Sequence, residues 1–171
     1  MKLQETFRDK DLQITVKLEV IELILESLSY LGEDWHTDGL LSEHMVGTAV
    51  YFFDMENVSG SRLLFRQEIE INPGVYQFEE WDVPYLEELF GVKDEKPALQ
   101  ELGSVLVGQG LLIVFPNTLH HRMEPFELIS KSRAEHHRFL TPWLVDPYYC
   151  ICSTRNVPPQ RHAGGHKKHN H

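Results

Sequence analysis

Leu12-Gln-Ile-Thr-Val-Lys-Leu-Glu-Val20 places an apolar side chain at every second position over nine residues. Period two marks a β-strand, because successive side chains of a strand point to opposite faces. The apolar set then changes parity at Ile21, Leu23 and Leu25, which predicts a bulge or a bend. Downstream, Met45–Phe53 is a nearly continuous apolar run with β-branched and aromatic residues, so it predicts a second, more buried strand. Leu63, Phe65, Ile69 and Ile71 predict a third, stopped by Asn72-Pro73-Gly74. Further strands are predicted at Val75–Phe78, Val105–Val107, Leu111–Phe115, His120–Met123, Phe139–Val145 and Tyr148–Ser153. Asp82–Phe90 reads as a helix, with Asp82 as cap, Pro84 in the first turn and Gly91 as stop. Lys93–Gln100 reads as a charged connection. Roughly eight to ten strands, one or two helices and no fixed repeat predict an all-β sandwich or barrel rather than alternating β-α units.

The 171 residues suit a single domain over 1–160, followed by a polar, His-rich tail, Arg161–His171, that is expected to be disordered. Hydrophobic residues at 42% and charged residues at 25% exclude a collagen-like or disordered chain. Acidic residues outnumber basic ones 26 to 16, a net charge of −10. With no Lys/Arg cluster before the tail, nucleic acid and anionic membranes are not expected as partners. No apolar stretch is long enough to span a membrane, and the first residues, MKLQETFRDKDLQ, lack the apolar core of a signal peptide. A cytoplasmic location is therefore expected. Cys150 and Cys152, two apart on a predicted strand, are expected to be buried or half-buried thiols rather than a disulfide. Asn57-Val58-Ser59 fits the glycosylation pattern but is expected to stay unmodified in that compartment.

The chemistry centres on Trp35-His36-Thr37-Asp38-Gly39. On one strand His36 and Asp38 share a face, so an imidazole and a carboxylate can offer adjacent positions to one metal. A further imidazole completes a two-His, one-carboxylate triad, which leaves open positions for small ligands. By itself an H-x-D is also what a surface turn shows. The second half carries a more specific order. Gly110-Leu-Leu-Ile-Val-Phe115-Pro116-Asn117-Thr118-Leu119-His120-His121-Arg122-Met123-Glu124-Pro125 runs from an apolar strand ending in Phe-Pro, through a turn, to histidine and a further Pro step. His137-Arg138-Phe139-Leu140-Thr141-Pro142-Trp143 follows. Thr48-Ala-Val-Tyr-Phe-Phe53, Ser59-Gly60 and Leu63-Leu64-Phe65-Arg66 follow the H-x-D in the first half.

This combination resembles the 2-oxoglutarate- and Fe(II)-dependent oxygenases over about residues 12–160. At finer grain, Leu12–Lys17, Trp35-His36, Glu43-His44, Asp54–Asn57, Phe115–Asn117, Pro125–Leu128, Leu144–Pro147 and Ser153–Gln160 resemble a largely uncharacterised, fungal-rich branch of that superfamily. The resemblance implies a double-stranded β-helix, a jelly-roll of two antiparallel sheets, with the 82–90 helix packed outside. It implies Fe(II) held by His36, Asp38 and one of the two neighbours His120 and His121. Parity lets only one of these reach the iron, and the family spacing selects His121. It implies Arg138 on the far carboxylate of 2-oxoglutarate, with Arg66 and Arg122 as competitors. Tyr51 and Thr141 are candidates to assist, although the family's tyrosine aligns with Phe52, which has no hydroxyl. Trp35, Glu43, His44 and Arg66 are candidate neighbours of the ligands or the substrate. His136 and His137 are expected to be solvated loop residues; Phe52, Phe53, Phe115, Met123 and Trp143 are expected in the core. The implied activity oxidises a C–H bond of a small-molecule substrate with O2, releasing succinate and CO2. A cupin-type metal enzyme that does not use 2-oxoglutarate, or a non-catalytic ligand-binding β-helix domain, are the alternatives. A homo- or hetero-oligomer, with a lid from a partner subunit, stays open.

Overall fold

The computed structural model describes residues 11–69, 88, 98–133 and 135–152, and the regular structure among them is nearly all strand. The strands are β1 (Ile14–Leu23), β2 (Ser29–Tyr30), β3 (Met45–Met55), β4 (Arg62–Glu68), β5 (Leu99–Leu106), β6 (Leu112–Pro116), β7 (His120–Met123), β8 (Phe126–Glu127) and β9 (Glu135–Val145). Every pairing is antiparallel. One sheet has the order β1-β9-β3-β6, a second β5-β4-β7, and β2 pairs with β8 alone. Val50, Phe52, Phe115 and Phe139 of the first sheet and Leu63 and Met123 of the second bury together in one core. The two sheets therefore pack face to face. A short 3₁₀ turn, Leu41–Glu43, precedes β3. No helix among the described residues is long and apolar enough to cross a membrane.

β1 differs from its sequence reading in an instructive way. It runs unbroken along β9 with Lys17 opposite Thr141, Glu19 opposite Phe139 and Ile21 opposite His137, and it has no bulge. Directly opposed residues share a face. Phe139 and Thr141 are buried, so Lys17 and Glu19 lie on the inner face of the sheet, while Ile14, Val16, Leu18 and Val20 face outward. The parity change at Ile21 marks the place where the inner face turns from polar to apolar, and Leu23 there is buried in the core. The register is fixed at one end by Gln13. Its carboxamide donates to the Ile151 carbonyl and accepts from the Ile151 N–H, each at 3.0 Å, and its own carbonyl accepts from Val145 N–H.

Several boundaries move. β5 begins at Leu99, so the predicted charged connection contributes its last two residues to a strand. β9 starts four residues before the predicted Phe139. Tyr148–Cys152 is not a strand, and both Cys150 and Cys152 are free and exposed rather than buried. A register shift in β3 between Phe52 and Asp54 brings Asp54 opposite Arg138. The predicted strand Val75–Phe78 and the predicted helix Asp82–Phe90 lie outside the described residues, apart from Glu88, which is helical. The His-rich tail also lies outside them.

Candidate metal centre

The H-x-D segment reaches its partner because the chain before it lies alongside β7. Gly32 has φ of +84°, and a Cβ there would stand 2.9 Å from the Met123 carbonyl, so glycine permits the close approach. Glu33 N–H donates to the Met123 carbonyl, and Met123 N–H donates back to Glu33 Oε2, both at 3.1 Å. His36 and His121 then exchange backbone hydrogen bonds at 3.2 and 2.9 Å. This pairing sets the two imidazoles side by side, with ring centroids 4.5 Å apart.

Asp38 completes the group. His36 Nε2 lies 3.9 Å from Asp38 Oδ1, and His121 Nε2 lies 3.6 Å from Asp38 Oδ2. The three ligating atoms all fall within 4.8 Å of one another. A metal with bonds of about 2.1 Å needs donor separations of roughly 3.0–3.5 Å, so contractions of up to about 1.3 Å bring them into range. The tautomers also suit a metal. His36 Nδ1 sits 2.8 Å from the Asp34 carbonyl, which can only accept, so Nδ1 carries the hydrogen and Nε2 presents its lone pair. His121 is buried, and burial pushes its pKa down against the opposing pull of Asp38, which favours the neutral ring that ligation requires. Its Nδ1 is buried without a hydrogen-bond partner that meets bonding geometry, and the Leu119 backbone adds a weaker upward pull on its pKa. Phe115 stands edge-on to the same ring at 4.8 Å and limits its rotation.

A second set of contacts holds Asp38. Asn117 Oδ1 accepts Asp38 N–H at 3.2 Å, and Asn117 Nδ2 donates to the Asp38 carbonyl at 2.8 Å. Thr48 Oγ1, fully buried, lies 3.1 Å from both Asp38 Oδ2 and Asn117 Oδ1 and donates its one hydrogen to either. Thr48 and Asn117 were not singled out from the sequence. Their contacts span 10 and 79 residues, and the only hint was an asparagine directly after the Phe-Pro strand end.

The family model described as "protein of unknown function (DUF4246)" matches residues 1–166. The chain belongs to the DUF4246 family. Among solved structures, protein NMB1881 from Neisseria meningitidis is similar at 12% identity over 84% of this chain and 97% of that one, with a TM-score of 0.31. No curated protein matches it.

The other predicted residues of this DUF4246 chain divide by strand face. Besides the triad, the cleft is lined by the apolar side chains of Val50, Leu63, Met123 and Phe139 and by the polar ones of Glu19, Glu33 and Thr141. Thr141 is thus brought to the site. Lys17 lies opposite Thr141 on the same inner face, outside the cleft lining and largely exposed. Its pKa is raised first by the 2.8 Å hydrogen bond to Glu19, with weaker pulls from Glu33 and Asp38, so it stands charged in the field of the triad.

Arg138 is not brought to the cleft. It alternates with the buried His137 and Phe139, shares the outer face with Leu140, pairs with Val20, and bonds Asp54 Oδ2 at 3.1 Å. Tyr51 pairs with Leu140 on that same outer face. Arg66, His120 and Arg122 lie on the outer face of the second sheet, because Phe65 and His121 take the inner one. The guanidinium carbons of Arg66 and Arg122 sit 4.4 and 4.8 Å from the ring centre of Trp35, whose side chain points away from His36. Glu43 Oε2 accepts Leu40 N–H at 2.6 Å, and His44 stacks on Tyr149 at 3.9 Å, so both fasten the loop after Asp38. His136 bonds Asp54 at 2.8 Å, and His137 is fully buried, so neither is a solvated loop residue.

Proposed function

We propose that the chain is a non-haem iron oxygenase that uses 2-oxoglutarate and O2 to oxidise a C–H bond of a small molecule. The observation that carries this reading is the juxtaposition of His36 Nε2, Asp38 and His121 Nε2, one carboxylate between two imidazoles, in a cleft between two β-sheets. Two imidazoles and one carboxylate form a face that suits Fe(II) and leaves positions for cosubstrate and oxygen. The passage of the chain back and forth between the two sheets supports the jelly-roll reading of the fold. When bound, Fe(II) with 2-oxoglutarate supplies the oxidising power, and succinate and CO2 are the coproducts.

The protein's own share is positioning and exclusion of water. Val50, Leu63, Met123 and Phe139 keep the cleft dry. Asn117 and Thr48 fix Asp38 before any ligand arrives. Lys17 and Thr141, opposed on the inner face, would take the far carboxylate of the cosubstrate, the role the sequence resemblance assigns to Arg138. Glu19 and Glu33 of the cleft lining favour a substrate that presents a cation or hydrogen-bond donors.

A second reading is favoured by one observation: Arg138 turns away from the triad and is neutralised by Asp54. That suits a metal enzyme of the cupin type that needs no 2-oxoglutarate. Succinate release from 2-oxoglutarate with Fe(II) separates the two. The oxygenase reading expects turnover in the wild type and none in His36→Ala or His121→Ala. It expects Lys17→Met to raise the KM for 2-oxoglutarate by at least about tenfold, the scale of a lost charged contact, while Arg138→Leu leaves it unchanged. Metal binding without any succinate would favour the cupin reading.

A further inference from the structure

Trp35, Arg66, His120 and Arg122 stand together on the outer face of the β5-β4-β7 sheet, and the metal centre uses none of them. The alternation that turns His36 and His121 inward turns their neighbours Trp35, His120 and Arg122 outward. Arg66 faces His120 across the β4–β7 pair, and Arg122 is one diagonal step away. Both guanidiniums lie over the Trp35 ring. We propose that this cluster is a binding site for a phosphate group, either the free ion or the head of a phosphate monoester.

The charge of the cluster is unbalanced. Its two cations share one aromatic ring, and a π-face attracts a cation without neutralising it. No ion pair or hydrogen bond engages Arg66 or Arg122 among the described residues. The chain has carboxylates to spare, with 26 acidic residues against 16 basic ones. The other described arginines each hold an acceptor: Arg62 bonds Ser104, Arg133 bonds Glu56 and Arg138 bonds Asp54. Glu101 faces Arg66 from β5, yet the two do not pair, and one carboxylate would balance only one of the two cations. Nε of each arginine and Nδ1 of His120 are buried without an acceptor. Each guanidinium is therefore partly stripped of water, and its outer nitrogens are left to meet an anion. The ligand chemistry follows from the donors. A guanidinium presents a planar fork that fits an oxyanion and stays charged when partly buried. Two such forks match the tetrahedral oxygens of a phosphate better than the single edge of a carboxylate. The charge of a phosphate monoester, about −1.5 to −2 at neutral pH, also matches two guanidiniums.

Isothermal titration calorimetry of the whole chain with sodium phosphate, against sodium chloride of equal ionic strength, tests the site. The expected result is saturable binding with a Kd of about 0.1–1 mM, the scale of two charge-assisted contacts. Arg66→Gln and Arg122→Gln should each weaken it about ten- to a hundredfold. Arg62→Gln, on the same strand as Arg66, and Asp38→Asn, in the metal centre, should leave it within about twofold. Where circular dichroism shows that a Gln variant fails to fold, Arg→Lys at that position is read instead. Lysine keeps the charge and loses the fork, so its affinity should be intermediate. Glycerol 3-phosphate separates the two sources: a site for the head of a monoester binds both compounds, and a site for the free ion rejects the ester. No saturable binding to the wild type, full affinity in folded Arg66 or Arg122 variants, or acetate held as tightly as phosphate overturns the proposal. Equal loss in Arg62→Gln overturns it by marking a diffuse positive patch, and loss in Asp38→Asn overturns it by placing the phosphate at the triad.

Discussion

Asn117 grips the Asp38 peptide at both ends, accepting its N–H and donating to its carbonyl, and so sets the carboxylate between two imidazoles without touching either. Removing such a support usually lowers metal affinity by about 10–100-fold while leaving the ligands in place. Asn117→Ala should show that loss in a Co(II) or Fe(II) titration, beyond the cost of about 1–3 kcal/mol that its lost hydrogen bonds impose on the metal-free fold. His137 makes a separate prediction. Phe52, Phe126 and Phe139 surround its ring at 5.2–5.5 Å, neither nitrogen has a partner, and burial pushes its pKa from 6.5 down to about 4. Between those values the unfolded chain binds the extra proton and the folded chain does not. Stability from this group is therefore complete above pH 6.5 and falls as the pH drops towards 4, by at most about 3 kcal/mol. Urea unfolding at pH 7.5 and 4.5 should show a smaller acid loss for His137→Phe than for the wild type. His36, Asp38 and His121 were legible as candidates because an H-x-D and a histidine after Phe-Pro are local patterns. Arg138 was misplaced because its face depends on the register of β9, which local sequence does not state.

At the scale of elements, β1 is held against its own hydrophobic preference. A slip of one residue along β9 would bury Ile14, Val16 and Leu18 and expel Lys17 and Glu19. The two hydrogen bonds between the Gln13 carboxamide and the Ile151 backbone, one donated each way, oppose that slip. Gln13→Ala should therefore cost about 1–2 kcal/mol, and it should also split the amide resonances of β1 into more than one set. A single set of resonances would mean that pairing along the strand fixes the register unaided. β3 and β7 were legible in full outline, since one is a long β-branched and aromatic run and the other is a short strand fixed by its Phe-Pro neighbour. The facing of β1 was not, because alternation announces a strand without saying which set is buried. The start of β5 was missed because Leu99–Gln100 draws its strand character from pairing with Gln67 and Glu68, about thirty residues back.

For the molecule as a whole, a metal bound only by the folded state should raise stability by about 2.7 kcal/mol at a hundred times its Kd. For a domain of this size that is roughly 5–10 °C in Tm. Differential scanning fluorimetry with Co(II) should show the rise in the wild type and not in His36→Ala. The all-β class was readable from strand spacing, but the order β1-β9-β3-β6 was not, since it joins segments far apart in the chain. That order has a consequence for synthesis. The last strand among the described residues, Glu135–Val145, is inserted between Ile14–Leu23 and Met45–Met55, which do not pair with each other. At a ribosomal pace of about 5–20 residues per second, β3 is finished roughly 5–20 s before the strand that joins it to β1. Through that interval two of the most aliphatic segments wait with open edges, so a nascent chain stalled before residue 135 has half of its first sheet and no means of closing it.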